Sequence, residues 1–227
     1  MKSVIVNVCD FHSHVLPGAD HGSNSVAVTL EQFKLAKKSG VDRVVATPHF
    51  YPHRDDLHRF LVRRDGSYER LMSKLDGSVG VQLRVGAEVL ICNNLENLPG
   101  LEKLCIGKSK CLLIELPFND FFEEHIDTVK ALCDNGFEVI LAHADRYDPL
   151  IIELFLKTDV KLQLNASSLC SIFKKKHLYR WIKEGRVVAL GSDIHGIDKR
   201  AYYKFARATH KLSGYIEEIK KASDELW

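Results

Sequence analysis

Residues 4–14 read VIVNVCDFHSH, an apolar, branched run that ends in an acid and two histidines one residue apart. A short β-branched run bounded by polar residues reads as a buried strand, so 4–9 is expected to be the first strand. Side chains alternate along extended chain, which puts His12 and His14 on one face. One Lys precedes the run and no small-residue cleavage site follows it, so a strand is expected here and not a signal peptide.

The pattern repeats. Apolar runs at 42–47, 82–89, 111–116, 137–142, 160–165 and 186–190 alternate with helix-period segments at 25–39, 57–75, 120–135, 149–157 and 177–184, and the last thirty residues read as helical. Gly40 and Gly136 are natural helix stops. Seven strands alternating with helices point to parallel βαβ units, as a seven-stranded βα barrel or a doubly wound open sheet. No Pro/Gly/Ser linker, repeat or low-complexity tract divides the chain, so residues 1–227 are expected to form a single domain.

The 227 residues are 45% hydrophobic and 27% charged with a net charge of +2, which argues against disorder and against a dedicated nucleic-acid binder. No apolar run approaches a membrane span, so no membrane insertion is expected. Lysines 174–176 and 220–221 read as solvated helix faces. The six cysteines form no CxxC pair, and reduced thiols in a cytoplasmic protein are expected. The positions six residues after them hold Val15, Leu98, Cys111, Pro117, Val139 and Lys176. A Cys-x5-Arg phosphatase loop is therefore absent.

The polar residues fall in telling places. Asp10, His12 and His14 follow strand one, His49 ends strand two, Glu88 strand three, Glu115 strand four and His143 strand five, while Asp193 and His195 end strand seven. In a parallel barrel all of these points lie on the C-terminal rim, where such proteins place their chemistry. One histidine at a strand end is ordinarily a hydrogen-bonded loop residue. This many imidazoles and carboxylates converging would be costly to desolvate without a cation, and the donor set suits zinc, manganese or iron. A multinuclear metal site is the reading. His21, in LPGADHGS beside the HxH pair, is a further candidate ligand. His58, His125, His177 and His210 sit in charged or helical contexts and read as solvated or capping residues. So does His53, although with Phe50, Tyr51 and Arg54 it could line the site mouth. Arg146 and Arg200 closely follow candidate ligands, and guanidinium forks hold phosphate or carboxylate. Gly107, Lys108 and Ser109 do not make a phosphate loop, because Glu102 stands where its first glycine is needed.

FHSHVLPGADHGS, ATPH, GAEV, LIELP, LAHADRY and GSDIHG occur in an order that resembles the PHP (polymerase and histidinol phosphatase) superfamily. Within it the chain most resembles the bacterial metal-dependent tyrosine-protein phosphatases of capsule and exopolysaccharide loci. The resemblance implies a distorted (β/α)7 TIM-like barrel holding two or three divalent ions, manganese first, with iron or zinc as alternatives. It assigns His12, His14, Glu88 and Asp193 to one metal. Glu88 would bridge to a second, held also by Glu115 and His143, and His49, His195 and His21 would hold a third. Arg146 and Arg200 match the phosphate-binding arginines. The family usually has a second Asp where this chain has His21, so Asp20 could instead support a ligand from behind, as could Asp10. The implied substrate is the phosphotyrosine tail of a bacterial tyrosine kinase that controls polysaccharide synthesis.

Three rivals remain. A PHP phosphoesterase acting on a small molecule such as histidinol phosphate would share the metal core. A metal-dependent amidohydrolase would carry a carboxylated lysine near the place of Glu115. A metal-stabilised module could bind phosphorylated tails without turnover.

Overall fold

A computed structural model of the chain describes residues 8–75, 80–118, 121–171 and 175–227. Residues 4–7 of the expected first strand, Asp120 at the expected start of a helix and Lys174 of one basic cluster lie outside the described residues. The strand segments are β1 (Val8–Ser13), β2 (Val41–Ala46), β3 (His49–Phe50), β4 (Gln82–Val85), β5 (Glu88–Leu90), β6 (Cys111–Glu115), β7 (Glu138–Leu141), β8 (Lys161–Asn165) and β9 (Val187–Gly191). All pair in parallel, in the order β3-β5-β6-β7-β8-β9-β1-β2-β4.

Nine segments reduce to seven strands. The second expected strand is interrupted at Thr47 and Pro48, where the proline has no N–H for the ladder. The third is interrupted at Gly86 and Ala87, where the backbone runs so close to Ile106 that a Cβ on Gly86 would sit 2.7 Å from its Cγ1. Register survives both breaks. Arg43 pairs with Gln82 and Ala46 with Val85, then His49 with Glu88 and Phe50 with Val89, at one constant offset. Gly86 N donates to Ala46 O (2.9 Å) and Glu88 N to Pro48 O (3.1 Å) across the gap. Thus β2–β3 and β4–β5 are two bent strands lying side by side, and the ring closes as a distorted seven-stranded barrel. Of the two architectures the strand pattern allows, the barrel is the one formed.

The first strand runs on through Ser13 instead of ending at Cys9, because its pairing with β2 extends to Ser13 and Ala46. His12 is therefore part of the sheet. The seam between β1 and β9 is thin, with the pair Asp10–Leu190 in the strands. Beyond it, Asp193 N donates to His12 O (2.9 Å) and His14 N to Ile194 O (3.2 Å).

The helices are α1 (Val26–Lys38), α2 (Leu57–Met72), α3 (Glu124–Asp134), α4 (Pro149–Phe155), α5 (Ala166–Leu169), α6 (Lys176–Lys183), α7 (Lys199–Lys211) and α8 (Ile216–Leu226). The side chains of Ser25, Asp56, Asp148 and Asp198 accept backbone N–H groups at the starts of α1, α2, α4 and α7, which satisfies donors that a helix start leaves free. Gly40 and Gly136 follow α1 and α3 with φ of 83° and 81°, as a helix stop requires. The last thirty residues form two helices, since a turn closed by Tyr215 N to Leu212 O (2.7 Å) separates α7 from α8.

Strand alternation divides the core. Leu112, Ile114, Val139 and Leu141 face outward into the layer shared with the helices. Cys111, Leu113 and Ile140 face inward, joining Cys9, Phe11, Val45 and Ala189 in a second cluster within the ring. Ala222, Leu226 and Trp227 pack against this inner cluster from the end of the chain, and Arg43, near the start of β2, pairs with Asp224. The α8 segment thus floors the barrel at the end opposite the strand C-termini. Glu115 lies two residues beyond inward-facing Leu113, so the same alternation aims it into the ring. Leu113→Ala should cost about 2–5 kcal/mol of stability by leaving a cavity inside the ring, read as a lower urea midpoint with unchanged slope.

Candidate metal centre

The strand C-termini bring eight of the nine candidate ligands together. His12 Nε2 and His14 Nε2 lie 3.2 Å apart. Glu88 Oε2 is 3.3 Å from each of them and 2.9 Å from His49 Nδ1, while its Oε1 is 2.7 Å from His143 Nε2. Asp193 Oδ1 stands 3.8 and 3.4 Å from the two Nε2 atoms. Glu115 approaches His143 Nε2 at 3.5 Å and His49 Nδ1 at 3.8 Å. The His195 ring stacks on His14 with centroids 4.0 Å apart.

These residues form four overlapping triads whose donor atoms lie within 4.8 Å of one another: His14–His49–His195, His12–His14–Asp193, His12–Glu88–His143 and His49–Glu88–Glu115. His21 is exposed and lies outside those triads, although its ring stacks 4.9 Å from His49 and 4.7 Å from His195. His143 and Asp193 hold left-handed backbone, with φ of 33° and 52°. Such strain costs about 1–3 kcal/mol per residue, and both positions are strand ends that turn toward the cluster.

The donor set fits divalent cations. His12 Nδ1 faces Gln163 Oε1 at 3.0 Å and His14 Nδ1 faces Asp20 Oδ2 at 2.7 Å. Both oxygens are acceptors, so each Nδ1 carries a proton and each Nε2 is the ring atom turned toward the cluster. Glu88 Oε2, His49 Nδ1 and His195 Nε2 are buried without a hydrogen bond. Lone pairs crowded this closely call for positive charge between them.

Without a cation the cluster gathers protons. Burial opposes charge on His14 and His143, but hydrogen-bonded carboxylates outweigh it, raising His14 well above the ordinary imidazole value and His143 to about 9. Burial likewise works against ionised Glu88, Asp193 and Asp20, yet the histidines beside them hold all three below the usual carboxylate range. His195 is pushed down to about 4 by burial and by neighbouring His14.

The supporting residues explain the aim of the candidate ligands. Asp20 accepts His14 Nδ1, Gly22 N (2.9 Å) and His49 N (3.2 Å). Asp10, fully buried, accepts Ser192 N at 2.7 Å and the Tyr202 hydroxyl at 2.9 Å, tying β1 to the segment after β9. Burial raises the Asp10 carboxyl to about 6.

Strand β8, which offers no candidate ligand, orients three of them. Gln163 Oε1 accepts His143 N at 2.6 Å as well as His12 Nδ1. A backbone N–H can only donate, so this bond fixes the amide orientation and with it the His12 tautomer. Gln163 Nε2 then donates to Asn165 Oδ1 (3.1 Å), and Asn165 Nδ2 donates to Asp193 Oδ2 (3.0 Å). Gly191 makes room, since a Cβ there would lie 2.5 Å from Gln163 Nε2 and 2.7 Å from His12 Cβ. The available sequence signal was two amides, Gln163 and Asn165, alternating with the apolar Leu162 and Leu164.

The arginines part company. Arg146 Nη2 bonds Asp193 Oδ2 at 2.7 Å. Arg200 lies in the first turn of α7, and among the described residues its guanidinium has no ion pair or hydrogen bond. Tyr51 stacks on His49 at 5.3 Å, with Arg54 over its ring at 5.8 Å and His53 at 6.3 Å.

A parallel βα barrel with imidazoles and carboxylates gathered at its C-terminal rim defines a class of proteins built to hold metals. The chain belongs to the family described as capsular polysaccharide synthesis, CpsB/CapC, whose model matches residues 8–220. It is 28% identical over 229 residues to the putative tyrosine-protein phosphatase CapC of Staphylococcus aureus, covering 93% of this chain and 86% of CapC. It is 24% identical over 208 residues to the tyrosine-protein phosphatase YwqE of Bacillus subtilis, covering 86% and 80%. Its fold matches, with a TM-score of 0.77 at 21% identity, a structure from a set on YwqE of Bacillus subtilis and CpsB of Streptococcus pneumoniae, described as metal-dependent tyrosine phosphatases. That match covers 96% of this chain and 92% of the other.

Gln163→Leu should leave the chain folded by circular dichroism while weakening divalent-metal binding about 10- to 100-fold in a calorimetric titration. The metal-free chain should also respond to pH. Folding raises the His143 pKa from 6.5 to about 9, so its stabilisation is complete below pH 6.5 and fades as pH rises through 9. The melting temperature of the metal-free protein should fall over that window, and a flat profile would count against the imidazole–carboxylate pairing.

Proposed function

We propose that this chain is a metal-dependent protein-tyrosine phosphatase, a phosphoric monoester hydrolase working as a single domain. The observation that carries the reading is the facing pair of His12 and His14 Nε2 atoms, 3.2 Å apart, with the Glu88 carboxylate against both. Only positive charge relieves that arrangement. Family membership and relatives named tyrosine-protein phosphatases support the reaction class.

His12, His14, Glu88 and Asp193 would hold one ion, Glu88, Glu115 and His143 a second, and His49 with His195 a third, His21 lying alongside. Manganese is the favoured metal, with iron or zinc as alternatives. The ions would supply Lewis acidity toward a water nucleophile and toward the phosphoryl oxygens. The chain's own residues do the rest. Gln163 and Asp20 keep the Nε2 lone pairs of His12 and His14 turned inward. Arg146, held at the rim by Asp193, offers its remaining N–H groups to the phosphoryl oxygens, and Arg200 is the second arginine for that role. In hydrolysis a water oxygen bonds to phosphorus as the P–O bond to the phenol breaks. A phenolate with a pKa of about 10 leaves with little acid assistance. No cysteine lies six residues before an arginine, so a cysteine phosphoenzyme of that type has no place in the scheme.

The substrate we propose is a phosphotyrosine segment of a bacterial tyrosine kinase governing capsular or exopolysaccharide synthesis, in the cytoplasm. Among the described residues no helix is long and apolar enough to cross a membrane.

Chelation should abolish hydrolysis of a phosphotyrosine peptide, and added manganese should restore it. His12→Ala and Asp193→Asn should each abolish turnover in a folded chain; full activity in either would remove the site from consideration. Arg146→Ala should lower kcat/KM by about 10- to 1000-fold with metal content unchanged.

A further inference from the structure

Phe118 is an unusual residue for its position. It follows β6 in the loop leading to α3, next to a buried polar cluster, yet it leaves 62% of its surface in water. An aromatic ring so exposed adds little to the core. It stands near-parallel to the His143 ring, 6.4 Å away at 11°, and 5.7 Å from the Tyr147 ring. Tyr147 itself is anchored, with its hydroxyl donating to Leu116 O at 3.0 Å and accepting from Leu116 N at 3.1 Å. Leu116, two residues before Phe118, is thus pinned to Tyr147, whose ring lies 5.6 Å from that of His143.

Tyr51 occupies the corresponding place beside His49. Its ring lies 5.3 Å from the imidazole at 15°, and among the described residues its hydroxyl makes no hydrogen bond. The two histidines bracket one carboxylate pair. Glu88 and Glu115 turn their Oε2 atoms to His49, at 2.9 and 3.8 Å, and their Oε1 atoms to His143, at 2.7 and 3.5 Å. An aromatic ring therefore stands beside each of the two histidines that meet the Glu88–Glu115 pair.

We propose that Tyr51 and Phe118 are specificity residues, the two walls of a slot that receives the aryl group of the phosphate ester and so favours phenolic over aliphatic esters. Aromatic side chains grip a third ring through stacked and edge contacts that an alkyl chain does not reproduce. Arg54, over the Tyr51 ring at 5.8 Å, sets positive charge at the same lip, where acidic residues flanking the ester would meet it. The proposal rests on the phosphatase reading above, and its test is built to separate the two.

The test uses the manganese-loaded protein and two non-hydrolysable probes, phenylphosphonate and methylphosphonate, with binding read by calorimetry. The wild-type chain should prefer the phenyl probe by about tenfold or more. Phe118→Ala and Tyr51→Ala should each cut that preference by about two- to tenfold, with methylphosphonate affinity and metal content unchanged. Phe118→Tyr and Tyr51→Phe should restore it, showing that the ring is what counts. Equal affinity for the two probes in the wild-type chain, or an equal loss for both probes in the alanine variants, would overturn the slot. Absence of phosphotyrosine turnover in the wild-type protein would instead strike the phosphatase reading, and the probe ratio would still decide the walls.

Discussion

Glu88 is 1% exposed, and its two oxygens meet imidazoles brought by three different stretches of chain. A buried carboxylate costs several kcal/mol to desolvate, and the cost is recovered only when positive charge stands against it with good geometry. In the metal-free chain protons on His14 and His143 supply that charge; in the loaded protein cations would. Much of the local architecture serves to deliver this group. The break at Gly86 and Ala87 places Glu88 at the head of its own short strand segment, and the break at Pro48 does the same for His49, keeping the two in register. His143 and Asp193 accept left-handed backbone to close on them.

The same constraint explains where the molecule is apolar. Inside the ring the strands present Cys9, Phe11, Val45, Cys111, Leu113 and Ile140, a dry plug with α8 beneath it. Polar side chains crowd the one rim where the strands end. A low-dielectric floor strengthens every electrostatic contact above it, so the inner cluster acts on the site as well as on stability.

The barrel was legible because apolar runs and helix stops alternate cleanly, and the gathering of candidate ligands at one rim because imidazoles and acids recur at run ends. Less was readable where meaning depends on what lies across the ring. Val44 and Val45 lead into Pro48 as if a strand simply stopped, whereas its partner strand bends with it and continues. Gln163 and Asn165 look like ordinary polar interruptions until His12, His143 and Asp193 are seen around them. Arg146 and Arg200 are equivalent in sequence, each a few residues beyond a histidine. Arg146, however, ends a short helical turn that begins at left-handed His143 and is swung back onto Asp193, while Arg200 rides out on a helix. Phe118 gave no signal at all, since a loop aromatic usually packs into a core.

The seam between β1 and β9 sets the timetable of assembly. Asp10 and Ser192 are 182 positions apart, so the first strand must wait for nearly the whole polypeptide before its outer edge is covered. At about 5–20 residues per second on the ribosome, that is an interval on the order of ten to forty seconds, during which His12 and His14 have no Asp193 to face. The His12–His14–Asp193 triad is thereby completed only after the final strand emerges, and a chain stalled short of it would expose an open β-edge, the kind of surface that invites aggregation.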